Sequence, residues 1–170
     1  FINCKNSWCI KIMKKLLAVR NDKLGDLILT LPALKIIKSS VPDIEIDLLV
    51  NDKYSDIQLI TDYIDNVICL NDNLIEDIAS RNYDYSISFF STFNTGYKLW
   101  RSNIKKRYAP ATKLAQVFYN KKIKQNRSTS LKPEYEYNND LAKYFLKDNY
   151  YRLKSPDNSY ISLKKTDDAS

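Results

Sequence analysis

Short runs rich in branched aliphatic residues alternate with stretches of helical periodicity, and that alternation limits the possible folds more than any other feature of this chain. Residues 15–19, 44–50, 66–70, 84–90 and 107–109 read as strands, the second with a run of branched residues. Between and after them, residues 26–39, 51–61, 71–81, 95–103, 112–119 and 134–146 read as helices. Pro32 falls inside the first helical stretch and must kink it or open a fresh first turn, and Ser39 to Asp43 stops it. Strands that alternate with helices form parallel sheets covered on both faces. The expected fold is α/β, a Rossmann-like parallel sheet, and 170 residues suffice for one full domain but not for two.

Composition removes whole classes of chemistry. There is no histidine, so Ser-His-Asp and Cys-His catalysis are out, and a carboxylate must carry any acid–base work. The glycines are just two, Gly25 and Gly96, and neither a G-x-G-x-x-G loop nor a Walker A loop can be built from them. Cys4, Cys9 and Cys69 lack zinc-site spacing and read as reduced thiols; no metal ligand set is expected. The apolar piece after Lys14-Lys15 is too short for a signal peptide, and no run approaches a membrane span. The sequence alone therefore favours a cytoplasmic protein.

The most informative local stretch follows the first strand: Arg20-Asn21-Asp22-Lys23-Leu24-Gly25-Asp26, then Leu29-Thr30-Leu31-Pro32-Ala33-Leu34. In an open α/β sheet, ligands sit outside the carboxyl ends of the strands, so Asp26 stands where a base is useful. This stretch resembles the opening of the glycosyltransferase family 9 enzymes, the ADP-heptose:lipopolysaccharide heptosyltransferase type. Their pattern is R-x-D-x-x-G-D followed by T-x-P-A-L, and Arg20, Asp22, Gly25, Asp26, Thr30, Pro32, Ala33 and Leu34 match it in register. The resemblance covers residues 13 to about 147, the N-terminal half of that enzyme type. It implies the acceptor-side domain of a two-domain GT-B glycosyltransferase.

On this resemblance Asp26 is the general base of an inverting, metal-independent sugar transfer. A positioned carboxylate takes the proton of the attacking hydroxyl, an effect of about 10²–10⁴-fold. The alternative is a helix-terminal charge that stabilises the first turn and has no catalytic role. Asp22, Lys23, Leu24 and Gly25 are the candidate substrate contacts of the loop. Asp22 can orient Lys23 or Arg20, Lys23 can meet a phosphate or a sugar acid, and Gly25 can permit close approach or supply a special φ. A solvated turn is the plain alternative for Lys23, and a simple turn glycine for Gly25.

Between Asp84 and Glu134 the chain has no acidic residue, whereas Lys98, Arg101, Lys105, Lys106, Arg107, Lys113, Lys121, Lys122, Lys124, Arg127 and Lys132 all fall there. The net charge of +7 is thus a property of one half of the chain. Arg107 and Arg127 fall where the resembling family has basic residues near its acceptor, and their planar forks suit carboxylates and phosphates. The resemblance implies an anionic glycolipid acceptor, the lipopolysaccharide inner core, at the inner-membrane surface. It further implies no cofactor beyond a nucleotide-sugar donor such as ADP-heptose, held mainly by a C-terminal domain. Basic residues interleaved with Tyr97, Trp100, Tyr108, Phe118 and Tyr119 also admit a nucleic-acid reading, ranked well below sugar transfer.

In Lys132-Pro133-Glu134-Tyr135-Glu136-Tyr137-Asn138 the family often has a histidine where Pro133 stands, while Glu136 and Asn138 match. Glu134 and Glu136 read as helix N-terminal charges. Residues 1–12, ahead of Met13, read as an upstream extension, with Trp8 and Ile10 as a membrane-touching anchor the competing idea. Residues 148–170 read as a polar tail or linker to an absent donor domain, which would leave this stretch inactive by itself. A non-catalytic α/β binding module, or gene remnant, is the alternative of a different class.

Overall fold

The computed structural model describes residues 13–111, 115–125, 127 and 132–155. Expectations for residues 1–12, 112–114 and 156–170 lie outside the described residues. Six strands, β1 (Lys15–Val19), β2 (Glu45–Val50), β3 (Asn66–Cys69), β4 (Tyr85–Ser88), β5 (Lys106–Pro110) and β6 (Lys121–Ile123), form one sheet in the order β3-β2-β1-β4-β5-β6. Every pairing is parallel. The order reverses between β1 and β4, so the crevice beyond the ends of those two strands is the topological switch point.

Five α-helices accompany the strands among the described residues: α1 (Leu24–Ile28), α2 (Leu31–Ser40), α3 (Leu74–Ser80), α4 (Phe93–Arg101) and α5 (Glu134–Asp148). The helical stretch around Pro32 is two helices. Leu29 caps the first, Thr30 is the N-cap of the second, and Pro32 lies in the opening turn of that second helix, where its missing N–H costs nothing. Residues 52–60 wind as 3₁₀ rather than α-helix. Residues 121–123 pair as an edge strand that periodicity could not reveal, because three residues carry too little pattern.

Strand alternation divides the core into two layers. Leu16 and Ala18 point toward α2 and α5, packing with Leu34, Ile37, Leu141 and Phe145. Leu17 and Val19 point the other way, toward Leu74 and Ile78 of α3 and Leu99 of α4. Sheet residues buried on both sides explain why β1 reads as an apolar run and why β2 is apolar apart from Glu45 and Asp47. With glycine so scarce, Asn82 and Asn103 turn the chain out of α3 and α4 with φ of 55° and 61°, the left-handed geometry that asparagine tolerates best after glycine.

At the far end of α5, Tyr108 of β5 donates to Asp148 at 2.6 Å, and Lys121 pairs with the same carboxylate at 2.8 Å. These contacts fix the C-terminal end of α5 against the sheet. No helix among the described residues is long and apolar enough to cross a membrane.

Candidate active site

β1 ends at Val19, clasped between neighbours: Arg20 N–H donates to Leu49 O and Phe89 N–H to Val19 O, both at 3.0 Å. The Arg20 side chain then turns into the switch point and is almost fully buried, 3% exposed. A guanidinium out of water needs every donor direction used. Its Nε donates to Asp22 Oδ1 at 2.7 Å, and its Nη1 donates to Phe89 O at 3.2 Å and Glu134 Oε1 at 3.1 Å. Its Nη2 lies 3.4 Å from Asp26 Oδ1. One buried arginine thus gathers three carboxylates from the first loop, α1 and α5.

Glu134 is shared. The same oxygen accepts from Arg127 Nη1 at 2.7 Å, and Arg127 Nε donates to Gln125 Oε1 at 2.9 Å. Burial pushes the Arg127 guanidinium below its ordinary pKa, an effect that Glu134 opposes. Glu134 does lie in the first turn of α5, yet its carboxylate also joins two arginines, a role that its position in the sequence did not disclose.

Asp26 sits in the first turn of α1, with Lys23 at the N-cap. Its side chain is 33% exposed, and Arg20 is its charged partner among the described residues. The backbone beneath it is held from behind. Thr30 Oγ1 donates to Asp26 O at 2.9 Å, and the fully buried Asn138 of α5 donates through Nδ2 to Leu29 O at 3.0 Å and toward Thr30 Oγ1 at 3.3 Å. Asn138, noted in the sequence only as a family match, anchors the α1–α2 junction to α5.

The remaining candidates divide. Asp22 orients Arg20 rather than Lys23. Lys23, Leu24 and Gly25 are exposed on the rim of the loop, Leu24 by 49%. Gly25 has no positive φ, which removes the special-φ reading, but a Cβ there would meet nothing within 4 Å, so its backbone faces open space. Arg127 joins the Arg20 cluster through Glu134. Arg107 does not. It lies near the start of β5, where its Nε donates to Phe118 O at 2.6 Å and its Nη1 to Ile104 O, so its fork serves local backbone. Burial lowers its pKa as well.

The basic stretch does not form one cationic face. α5 brings acids to it: Lys121 pairs with Asp148, Lys132 with Asp140 at 2.9 Å, and Arg127 with Glu134. Lys106 donates to Asn149 at 2.7 Å, and Lys105 lines a depression at the opposite end of the sheet. Of that stretch, Lys98 lies on the switch-point side, where it helps line a cleft of about 310 Å³ with Asn21, Asn71, Asp72, Thr92 and Asn94. A partly open carboxylate held against a buried arginine at the switch point is an arrangement able to accept a proton from a bound hydroxyl.

No protein-family model matches the chain. It is 38% identical over 162 residues to a curated Haemophilus influenzae protein named "Putative glycosyltransferase", a match covering 91% of this chain and 47% of that protein. The chain therefore spans about half the length of the curated relative it matches. Among solved structures, the E. coli heptosyltransferase WaaC with ADP superposes with a TM-score of 0.69 at 22% identity, covering 86% of this chain and 50% of that one. A glycosyl transferase family 9 structure from Veillonella parvula gives 0.67 at 19% identity, over 77% of this chain and 40% of that one. At such identities the structures speak for the fold. The sequence relative and the shared fold together make this chain a relative of a glycosyltransferase, built on the fold of the family 9 heptosyltransferases that Arg20 to Leu34 resemble.

Proposed function

We propose that this chain is the acceptor-side half of a heptosyltransferase-like glycosyltransferase, with Asp26 as its general base. The observation that carries the reading is the Asp26 carboxylate, partly open at the switch point on a loop locked by a buried arginine and by α5. The acceptor hydroxyl oxygen forms its bond to the anomeric carbon as its proton passes to Asp26. The bond from that carbon to the donor's diphosphate breaks, and its electron pair leaves with the nucleoside diphosphate. Displacement in this manner inverts the anomeric centre, and the nearby carboxylate favours the cationic character that develops there. The proposed reaction needs no metal.

The donor in this reading is a nucleotide sugar such as ADP-heptose, supported by the ADP bound in the WaaC structure that shares this fold. The acceptor is an anionic glycolipid of the lipopolysaccharide inner core, met at the inner-membrane surface from the cytoplasmic side. Lys23 and the Gly25 backbone, open on the loop rim, and Lys98, beside the cleft, are the contacts offered to it; Arg20 and Arg127 act from behind through Glu134. Residues 148–170 would lead to the donor domain, and the stretch without that domain would be inactive.

Asp26→Asn in the natural gene product tests the assignment. Nucleoside diphosphate release should fall by about 10²-fold or more, with an unchanged circular dichroism spectrum. Turnover within a few-fold of wild type would overturn Asp26 as base.

A further inference from the structure

Two arginines and three carboxylates meet at the switch point, and their charges do not balance. Arg20 contacts Asp22, Asp26 and Glu134, and Arg127 contacts Glu134 again, which leaves one anion in excess. The three carboxylates are not held alike. Asp22 accepts from Arg20 Nε at 2.7 Å, and Glu134 Oε1 accepts from Nη1 of both arginines, at 3.1 Å from Arg20 and 2.7 Å from Arg127. Asp26 is held most loosely, 3.4 Å from Arg20 Nη2, and is the most exposed of the three.

That looseness has a geometrical cause. A guanidinium grips a carboxylate best through two parallel N–H groups. Arg20 Nη1, the second prong of such an end-on grip on Asp26, is already given to Glu134 and to Phe89 O. Arg127 pulls Glu134 from the other side, with its guanidinium 5.6 Å from the Tyr137 ring centroid. The other charges on the surrounding elements are engaged or lie at the rim. Lys23 is exposed, Glu136 accepts from the Tyr135 hydroxyl at 3.3 Å, Lys35 of α2 pairs with Asp62 at 3.4 Å, and Asp72 and Lys98 line the Asn21 cleft.

We propose that Glu134 is a positioning residue that withholds Arg20 from Asp26 and so keeps that carboxylate able to take a proton. Its charge and its hold on Nη1 act in the same direction, since a nearby anion favours the protonated carboxyl and a closing guanidinium opposes it. Arg127 works against Glu134 by cancelling part of its charge. The inference rests on Asp26 as the proposed base, but the coupling among these groups is measurable without turnover.

The test uses the natural gene product with isotope-labelled aspartate carboxyl carbons, followed by NMR across pH. The Asp26 signal is the one lost in Asp26→Asn. Glu134→Gln should move its titration midpoint down by about half a pH unit or more, because a like charge is lost and Nη1 is released. Arg127→Gln should move it up, because Glu134 then acts uncompensated. Glu134→Asp, which keeps the charge, should restore most of the parent value. Asp140→Asn removes a carboxylate from the same helix at its Lys132 pair and should leave the midpoint in place. Local damage does not produce opposite displacements from two neighbours in one cluster. Midpoints that move together or not at all, or an Asp140→Asn displacement equal to that of Glu134→Gln, would overturn the proposal. The acid limb of the pH profile of nucleoside diphosphate release should follow the midpoint in each variant. Midpoints displaced as expected under an unmoved acid limb would leave the hold of Glu134 on Arg20 standing and remove Asp26 as base.

Discussion

The two ends of the sheet each hold a buried charge, and they use it in opposite ways. At the strand-starting end the buried charge is a carboxylate. Asp47, with its side chain 1% exposed, accepts from Asn66 at 2.8 Å, from Arg81 at 3.1 Å and from the Tyr83 hydroxyl. Its partners close around it. At the strand-finishing end the buried charge is Arg20, and the carboxylates reaching it come from the solvent side, with Asp22, Glu134 and Asp26 respectively 15%, 25% and 33% exposed. Burying the anion makes a structural knot. Burying the cation and leaving the anions at the rim makes a scaffold on which a carboxylate can still meet a ligand.

The contrast is sharpest in paired substitutions. Asp47→Ala leaves the buried Tyr83 hydroxyl without its acceptor and removes the Asn66 and Arg81 contacts as well, and should cost about 3 kcal/mol of unfolding free energy. Asp26→Asn, at a partly solvated pair whose arginine keeps two other carboxylates, should cost about 1 kcal/mol or less. Urea titrations of both variants measure the difference, and equal losses would erase the distinction drawn between the two ends.

A smaller effect is expected at Tyr83. Burial and the Asp47 hydrogen bond both hold its hydroxyl protonated, raising its pKa far above the ordinary value. Tyr83→Phe removes one charged-acceptor bond but leaves Asn66 and Arg81 in place, so the loss should be about 1.5–3 kcal/mol, read by the same titration.

The smallest effect is a pH dependence at Asp148. Burial would raise its pKa, but hydrogen bonds from Lys121 and Tyr108 outweigh that and hold it below the ordinary carboxylate value of 3.8. A depressed folded-state pKa gives stability that is fully present above the unfolded-state value and lost as pH falls through the folded one. The acid limb of the stability curve below about pH 4 should therefore be shallower in Asp148→Asn than in the parent. Parallel acid limbs would show that the α5–β5 contact carries no linked proton.

Much of the architecture was readable because its signals are local. Branched runs mark β1 and β2, and Pro32 marks a new helix start, since a residue without an N–H belongs in a first turn. β6 escaped, being three residues long and identified only by its pairing with β5. Asp26 was found because it stands in a motif beside the first strand. Arg20 and Glu134 were seen as a pattern residue and a helix-end charge, and their contact spans 114 residues of sequence.

Arg107 shows another limit. An arginine in a basic stretch reads as a ligand contact, and the fold gives its Nε to Phe118 O and its Nη1 to Ile104 O. A count of charges along the chain cannot tell which of them the fold will neutralise.

By itself, then, the sequence determined the strand–helix alternation, the exclusion of histidine and glycine-loop chemistry, and the first loop with its carboxylate. Each of these is a property of residues close together in the chain. The tertiary structure alone decided which carboxylates share the buried Arg20, that Asn138 steadies the backbone behind Asp26, and that Arg107 turns to local backbone. Those outcomes depend on which distant elements pack side by side, because the cost of a buried charge is settled by whatever neighbour the fold brings to it.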